Sequence, residues 1–240
     1  MMRRNTTLLF FNVLGIALLA WYGTTHMNGL WFTLDSAIFR FFNEKIVLGS
    51  NFSQLVAYAN LRVMDVPVFL CMAGLYLYFF LQTDNTGKRK MIALGILMLF
   101  LGVLLKQAAK FSPIQHISPT LFFGDANRLS IFTDIGAKDY SRVSFPSDHG
   151  TMLMIFAAFT ARYFGKRAFC LAALLVIIFT LPRIAGGAHW FSDVYVGSFS
   201  LVCIAGSWLL LTPASDILAA QIERIFPHNF FPVSKKGIRG

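Results

Sequence analysis

The chain has 240 residues, 56% of them hydrophobic and only 13% charged, with a formal net charge of +10. That balance excludes an ordinary soluble domain and points to a protein dissolved in lipid. The positive excess is no sign of a nucleic-acid partner, because it gathers on one set of the segments that join the apolar runs.

In chain order, six stretches are apolar enough to cross a hydrocarbon core of roughly 30 Å. The first, residues 7–23, follows Arg3 and Arg4 without a small-residue cleavage site, so it is expected to stay as an anchor. Apolar and polar residues then mix over 24–65, and 34–43 reads as an amphipathic helix lying at the interface. Trp21, Tyr22, Trp31 and Phe32 are expected at headgroup depth. Arg62 and Asp65, three apart, are expected to pair on one helical face, with contact to a substrate as the alternative.

The second stretch, 66–82, ends at the turn signal Asp84-Asn85-Thr86-Gly87, ahead of Lys88-Arg89-Lys90. The third, 91–105, runs into Lys106. A long polar section, 106–145, follows; its apolar residues, Phe122, Phe123, Leu129, Ile131 and Phe132, predict an ordered cap. Three further stretches cover 151–164, 168–187 and 190–212. The fold expected is all-α: a polytopic membrane protein of six transmembrane helices with an interfacial helical segment and a cap loop, in one domain over 1–240.

With a cytoplasmic N-terminus, the cytoplasmic segments hold Arg3, Arg4, Lys88, Arg89, Lys90, Arg162, Lys166, Arg167, Arg224, Lys235, Lys236 and Arg239 against Asp84, Asp216 and Glu223. The positive-inside rule supports that orientation, and both termini are then cytoplasmic. Residues 106–149 and 183–193 emerge together on the opposite, non-cytoplasmic face. Cys71, Cys170 and Cys203 all fall within apolar stretches, with no metal-ligand spacing, and read as small apolar packers.

Chemistry concentrates where the apolar runs meet water. His189 and Asp193, four apart, share a helical face, so the carboxylate is able to fix the imidazole tautomer and leave the other nitrogen as a nucleophile; the bland alternative is a self-satisfied helix-end pair. His149 follows Pro146, Ser147 and Asp148, a helix-start sequence whose free amides make an anion site, with His149 placed to protonate a leaving oxygen. Arg183 suits a bidentate phosphate contact, and Lys106 and Lys110 add cationic charge or merely snorkel. The pattern contains no zinc-site spacing, no P-loop and no serine-hydrolase elbow around Ser147, and no internal repeat of the kind transporters carry.

Pro146-Ser147-Asp148-His149 resembles the P-S-G-H element of the type 2 phosphatidic acid phosphatase superfamily, and the run from Pro182-Arg183 through His189-Trp190-Phe191-Ser192-Asp193 resembles its S-R-x5-H-x3-D element. The usual preceding K-x6-R-P element is approached only by Lys106 or Lys110 with Ser118-Pro119, and no arginine precedes the proline. Within the superfamily, stretches such as Asp125-Ala126-Asn127-Arg128 and Gly187-Ala188-His189-Trp190-Phe191 are similar to the inner-membrane lipid A phosphotransferases. The resemblance implies a periplasmic active site needing no metal or other cofactor. It implies His189 as nucleophile, Asp193 orienting it and His149 as general acid. Arg183, Ser147, Asp148, Lys106 and Lys110 would surround the phosphate. The substrates implied are lipids: undecaprenyl diphosphate as phosphate donor and lipid A as acceptor, or water as acceptor in a phosphatase.

Overall fold

The computed structural model describes residues 2–26 and 28–226, and all its regular secondary structure there is helical. Lys235, Lys236, Arg239 and the side chain of Arg3, expected to add to the charge at one end, lie outside the described residues. The helices are α1 (Met2–Thr25), α2 (Leu30–Asn43), α3 (Asn51–Ala59), α4 (Asp65–Gln82) and α5 (Asn85–Ala109). The short α6 (Pro119–Phe122) and α7 (Leu129–Phe132) lie in the cap, followed by α8 (Asp148–Tyr163) and α9 (Gly165–Ala185). A last long helix, α10 (Asp193–Leu211), contains two π-helical stretches, Asp193–Ser198 and Val202–Gly206, and α11 (Ala214–Glu223) closes the chain.

Among the described residues, five helices are long and apolar enough to cross a membrane: Arg4–Thr25, Arg62–Gln82, Gly87–Ala109, Gly165–Ala185 and Asp193–Leu211. The run expected over 151–164 is α8, of 16 residues. At about 1.5 Å per residue it is roughly 24 Å long, short of a full hydrocarbon core. It sits inside the bundle, where Leu153, Ile155, Phe156 and Phe159 are almost fully buried against α5, α9 and α10. Leu94, Leu97, Leu101 and Leu105 of α5 form the facing stripe at three- and four-residue intervals. By contrast α4 contributes no buried residue and lies along the bundle's edge.

Local sequence sets the helix starts. Ser50 accepts the Phe52 and Ser53 amides at the head of α3, Asp84 accepts the Gly87 amide at the head of α5, and Ser147 accepts the Gly150 amide at the head of α8. The turn expected over residues 84–87 is therefore a single capping residue, with the helix already under way at Asn85. Gly150 and Gly197 allow α8, α10 and the entering strand of chain to meet closely. A Cβ at 150 would lie 2.8 Å from Ser198 Oγ, and one at 197 would lie 2.7 Å from the Phe145 ring.

The segment 24–65 folds as α2 and α3 against the cap. The buried stripe of α2 is Asp35, Phe39 and Asn43, so its inward face is protein-facing and half polar. Asn43 and Asn127 exchange hydrogen bonds, and Arg40 pairs with Asp125 at 2.8 Å. Tyr22, expected at headgroup depth, is instead one of the most deeply buried side chains, whereas Trp21 is exposed. Cys203 is buried; Cys71 and Cys170 lie on exposed helix surfaces rather than in the packing.

Inside the cap, the fully buried Asp139 carboxylate accepts from Ser130 N and Ser130 Oγ, both at 2.9 Å, and from Arg128 at 3.1 Å. Asp139→Ala removes the acceptor for all three and is expected to destabilise the cap by about 3 kcal/mol. Limited proteolysis should then cut within residues 110–145 under conditions that leave the wild-type cap intact.

Candidate active site

One end of the bundle brings together the end of α5, the head of α4, the head of α8, the end of α9, the head of α10 and the cap. A cavity of about 760 Å³ opens there, with Asp65, Lys106, Lys110, Gln115, Lys138, Asp148, His149 and His189 in its wall. Val68, Met72, Gly102 and Met152 carry the same wall down between α4, α5 and α8, so the cavity has a charged end and an apolar end.

His189 is nearly buried, with Nδ1 2.9 Å from the carbonyl oxygen of Ser144 and 3.3 Å from Asp193 Oδ2. A carbonyl only accepts, so Nδ1 carries the proton and Nε2 keeps its lone pair. Asp193 is itself anchored by the Trp190 amide, at 2.8 Å from Oδ2. The π-helical start of α10 places Asp193 and Ser198 together, and Ser198 Oγ donates to the Ser147 carbonyl at 2.9 Å. That hydroxyl ties the head of α10 to the head of α8, a common use of π-helical irregularity at working sites.

His149 directs Nε2 at Asp65 Oδ1, 2.8 Å away, and Arg183 donates from Nη2 to the same oxygen at 2.8 Å. The expected pairing of Asp65 with Arg62 is thus replaced by a bridge between a histidine and an arginine more than eighty residues away in the chain. Arg183 is almost fully buried and also donates to the backbone and side-chain oxygens of Asn60 at 3.3 Å. It stands behind Asp65 rather than in the cavity wall. Lys106 and Asp148 form an ion pair at 2.9 Å on the wall itself.

Ser147 is fully buried as the α8 cap, outside the wall. Among the described residues, the first amides of α8, those of Asp148 and His149, have no backbone acceptor. They are the donors a helix start offers to an anion.

Lys138 is the cation that sequence reasoning missed. It reaches the cavity from the cap, its amide held by the Asn60 carbonyl at 2.9 Å. Burial, with the Arg183 guanidinium nearby, holds its ammonium below the ordinary lysine range. Nothing in the spacing around Lys138 signals this. Ser118, in the sequence element where no arginine precedes the proline, is buried in the cap and bonded to Ser141.

The family model for the PAP2 superfamily matches residues 113–216, which include both histidines, Arg183 and Asp193. Over 229 residues the chain is 41% identical to a lipid A 1-diphosphate synthase of Escherichia coli (strain K12), covering 95% of this chain and 96% of that protein. The chain belongs to the PAP2 superfamily. It is accordingly an enzyme of the phosphatase and phosphotransferase type, and its helices fit the membrane setting of that chemistry. No solved structure matches the chain. His149 and His189 each have one nitrogen committed to the protein, and each borders the same cavity.

Proposed function

We infer that this chain transfers the terminal phosphate of undecaprenyl diphosphate to the 1-phosphate of lipid A, releasing undecaprenyl phosphate and forming lipid A 1-diphosphate. The carrying observation is the opposed commitment of the two rings: His189 Nδ1 is tied to Ser144 and Asp193, and His149 Nε2 to Asp65, around one cavity. The near full-length similarity to a lipid A 1-diphosphate synthase supports the choice of substrates.

In the first half-reaction His189 Nε2 attacks the terminal phosphorus. An N–P bond forms as the bridging P–O bond breaks, and His149 gives a proton to the departing undecaprenyl phosphate oxygen. Asp65, accepting from His149 Nε2, fixes the orientation of the ring and leaves Nδ1 as the nitrogen that exchanges the proton. In the second half-reaction a phosphate oxygen of lipid A attacks the phosphohistidine. The N–P bond breaks, and any proton on the incoming oxygen returns to His149.

Charge on the transferring group is met by Lys106, Lys110 and Lys138 and by the free amides of Asp148 and His149. Electrostatic stabilisation of this kind is the main help a protein gives to phosphoryl transfer. Arg183 acts at the edge through Asp65, Asp148 holds Lys106, and Ser147 fixes the helix start. The apolar end of the cavity suits a lipid chain.

The chain forms one membrane domain with six crossings, α8 being the short one shielded by its neighbours. The catalytic end and cap face the periplasm, and both termini face the cytoplasm of an inner membrane. At the opposite end Lys90 and Arg162 converge on Asp216, at 2.9 and 3.3 Å, where the cytoplasmic positive charge is expected.

Purified protein given undecaprenyl diphosphate labelled in its terminal phosphate, together with lipid A, is expected to move label onto lipid A. Label appearing only as free phosphate would replace the acceptor with water and overturn the transferase reading.

A further inference from the structure

Behind His189, away from the cavity, the two oxygens of Asp193 are unequally used. Oδ2 holds the Trp190 amide and faces His189, whereas Oδ1 is buried with no partner at hydrogen-bond distance. The group facing Oδ1 is His116 Nε2, 3.5 Å away. That nitrogen is also 2.9 Å from the Tyr22 hydroxyl, which is 2.9 Å from Ser192 Oγ. Ser192 Oγ in turn bonds Asp35 Oδ2, and the Ser192 amide donates to Asp35 Oδ1 at 2.9 Å. A buried row thus runs from Asp35 through Ser192, Tyr22 and His116 to the back of Asp193.

Counting protons gives the row two directions. When Asp35 is ionised it can only accept, so the single Ser192 proton goes to it and Tyr22 must donate to Ser192. Tyr22 can then only accept from His116, which therefore carries a proton on Nε2, aimed also at Asp193 Oδ1. Nδ1 then accepts from Ser144 Oγ, 3.1 Å away. When the row takes up one proton, it enters at His116 Nδ1, which turns to the Ile117 carbonyl at 3.4 Å. The Nε2 proton passes by way of Tyr22 and Ser192 to Asp35. Every bond in the row reverses, His116 Nε2 becomes an acceptor, and Asp193 Oδ1 loses the donor that faced it.

The geometry points to His116 as a positioning residue for phosphoryl transfer, steadying Asp193 from behind only while Asp35 is ionised. The inference rests on the reading of His189 as nucleophile and adds a device that makes its orientation depend on a remote carboxyl. The titratable groups facing Asp35 and His116 are Tyr22 in α1, His26 just past its end, His189 in the turn before α10, and Asp193 at the head of α10. Burial pushes the Asp35 carboxyl up to about 7, with Asp193 adding to the effect. The row therefore reverses near neutrality. Burial lowers His116, against the pull of Asp193. Counted through the row, the ring carries one proton in either direction and only its tautomer changes.

Asp35→Asn is the decisive variant, because the asparagine amide donates to Ser192 Oγ and still accepts from the Ser192 amide, locking the row in its reversed direction. The measurement is the rate of phosphohistidine formation from labelled undecaprenyl diphosphate by the full-length protein, followed from acid to mildly alkaline pH. The wild type is expected to lose rate on acidification as the row takes up its proton. Asp35→Asn should lack that loss. Above neutrality the variant should be about tenfold slower, the low end of what a hydrogen bond to a charged group is worth because the 3.5 Å contact is longer than a full one, with KM unchanged. At acid pH the two rates should converge. His116→Gln should lack the same acid-side loss, which guards against a folding effect peculiar to position 35. An equal slowing of Asp35→Asn at every pH, or a wild-type profile, overturns the inference. A wild-type enzyme that forms no phosphohistidine overturns the nucleophile reading and takes this inference with it.

Discussion

His189→Ala is expected to abolish turnover, by on the order of 10⁶-fold, and to eliminate any acid-labile phosphoenzyme. The side chain offers the one lone pair that the surrounding hydrogen bonds aim at the cavity, since the Ser144 carbonyl obliges Nδ1 to keep its proton. Its loss also leaves that buried carbonyl without a donor, so His189→Asn, whose amide can still bond Ser144, serves as the companion variant. Both should unfold near the wild-type temperature and both should be inert. Retained activity in a folded variant would remove His189 from the chemistry.

His149→Ala is expected to keep the fold and the capacity to bind lipid diphosphate while losing about 10²–10⁴-fold in kcat, the range in which a positioned general acid acts. The loss should be smaller for a donor whose leaving group is already a good one, such as an aryl phosphate, because less proton transfer is then required. Asp65→Asn should cost less than His149→Ala, since the amide still meets His149 or Arg183 but no longer holds both at one oxygen. A single-turnover rate for His149→Ala within a factor of about two of wild type would assign the proton to another group.

Much of this molecule is legible in its residues for a physical reason. In a chain with so few charges, long apolar runs have only one stable use, and five of them appear as helices long enough to cross a membrane. The His189–Asp193 pair is equally readable, because a spacing of four becomes adjacency on any helical turn. Readings failed where a contact depended on tertiary folding. Asp65 had a nearby candidate partner in Arg62, yet its oxygen bridges His149 and Arg183, at sequence separations no local rule samples. Tyr22 has the composition and position of an interfacial aromatic, and only the arrival of His116 and Ser192 from distant segments turns it inward. Lys138 and Asp35 look like ordinary loop and amphipathic-helix charges for the same reason. The short α8 has the apolarity of a span, and that apolarity fits equally well a crossing helix shielded by its neighbours.

The acceptor for the His189 Nδ1 proton is a main-chain oxygen. Every residue type possesses that oxygen, so the chemical identity of the side chain at position 144 can drift without disturbing which imidazole nitrogen stays basic. In hydrolases that assign this duty to a carboxylate, its conversion to an amide inverts the ring's protonation and costs about 10⁴-fold. Here the duty is divided: the peptide group chooses the tautomer, and Asp193 is left to answer the positive charge that appears on the ring once phosphorus is attached.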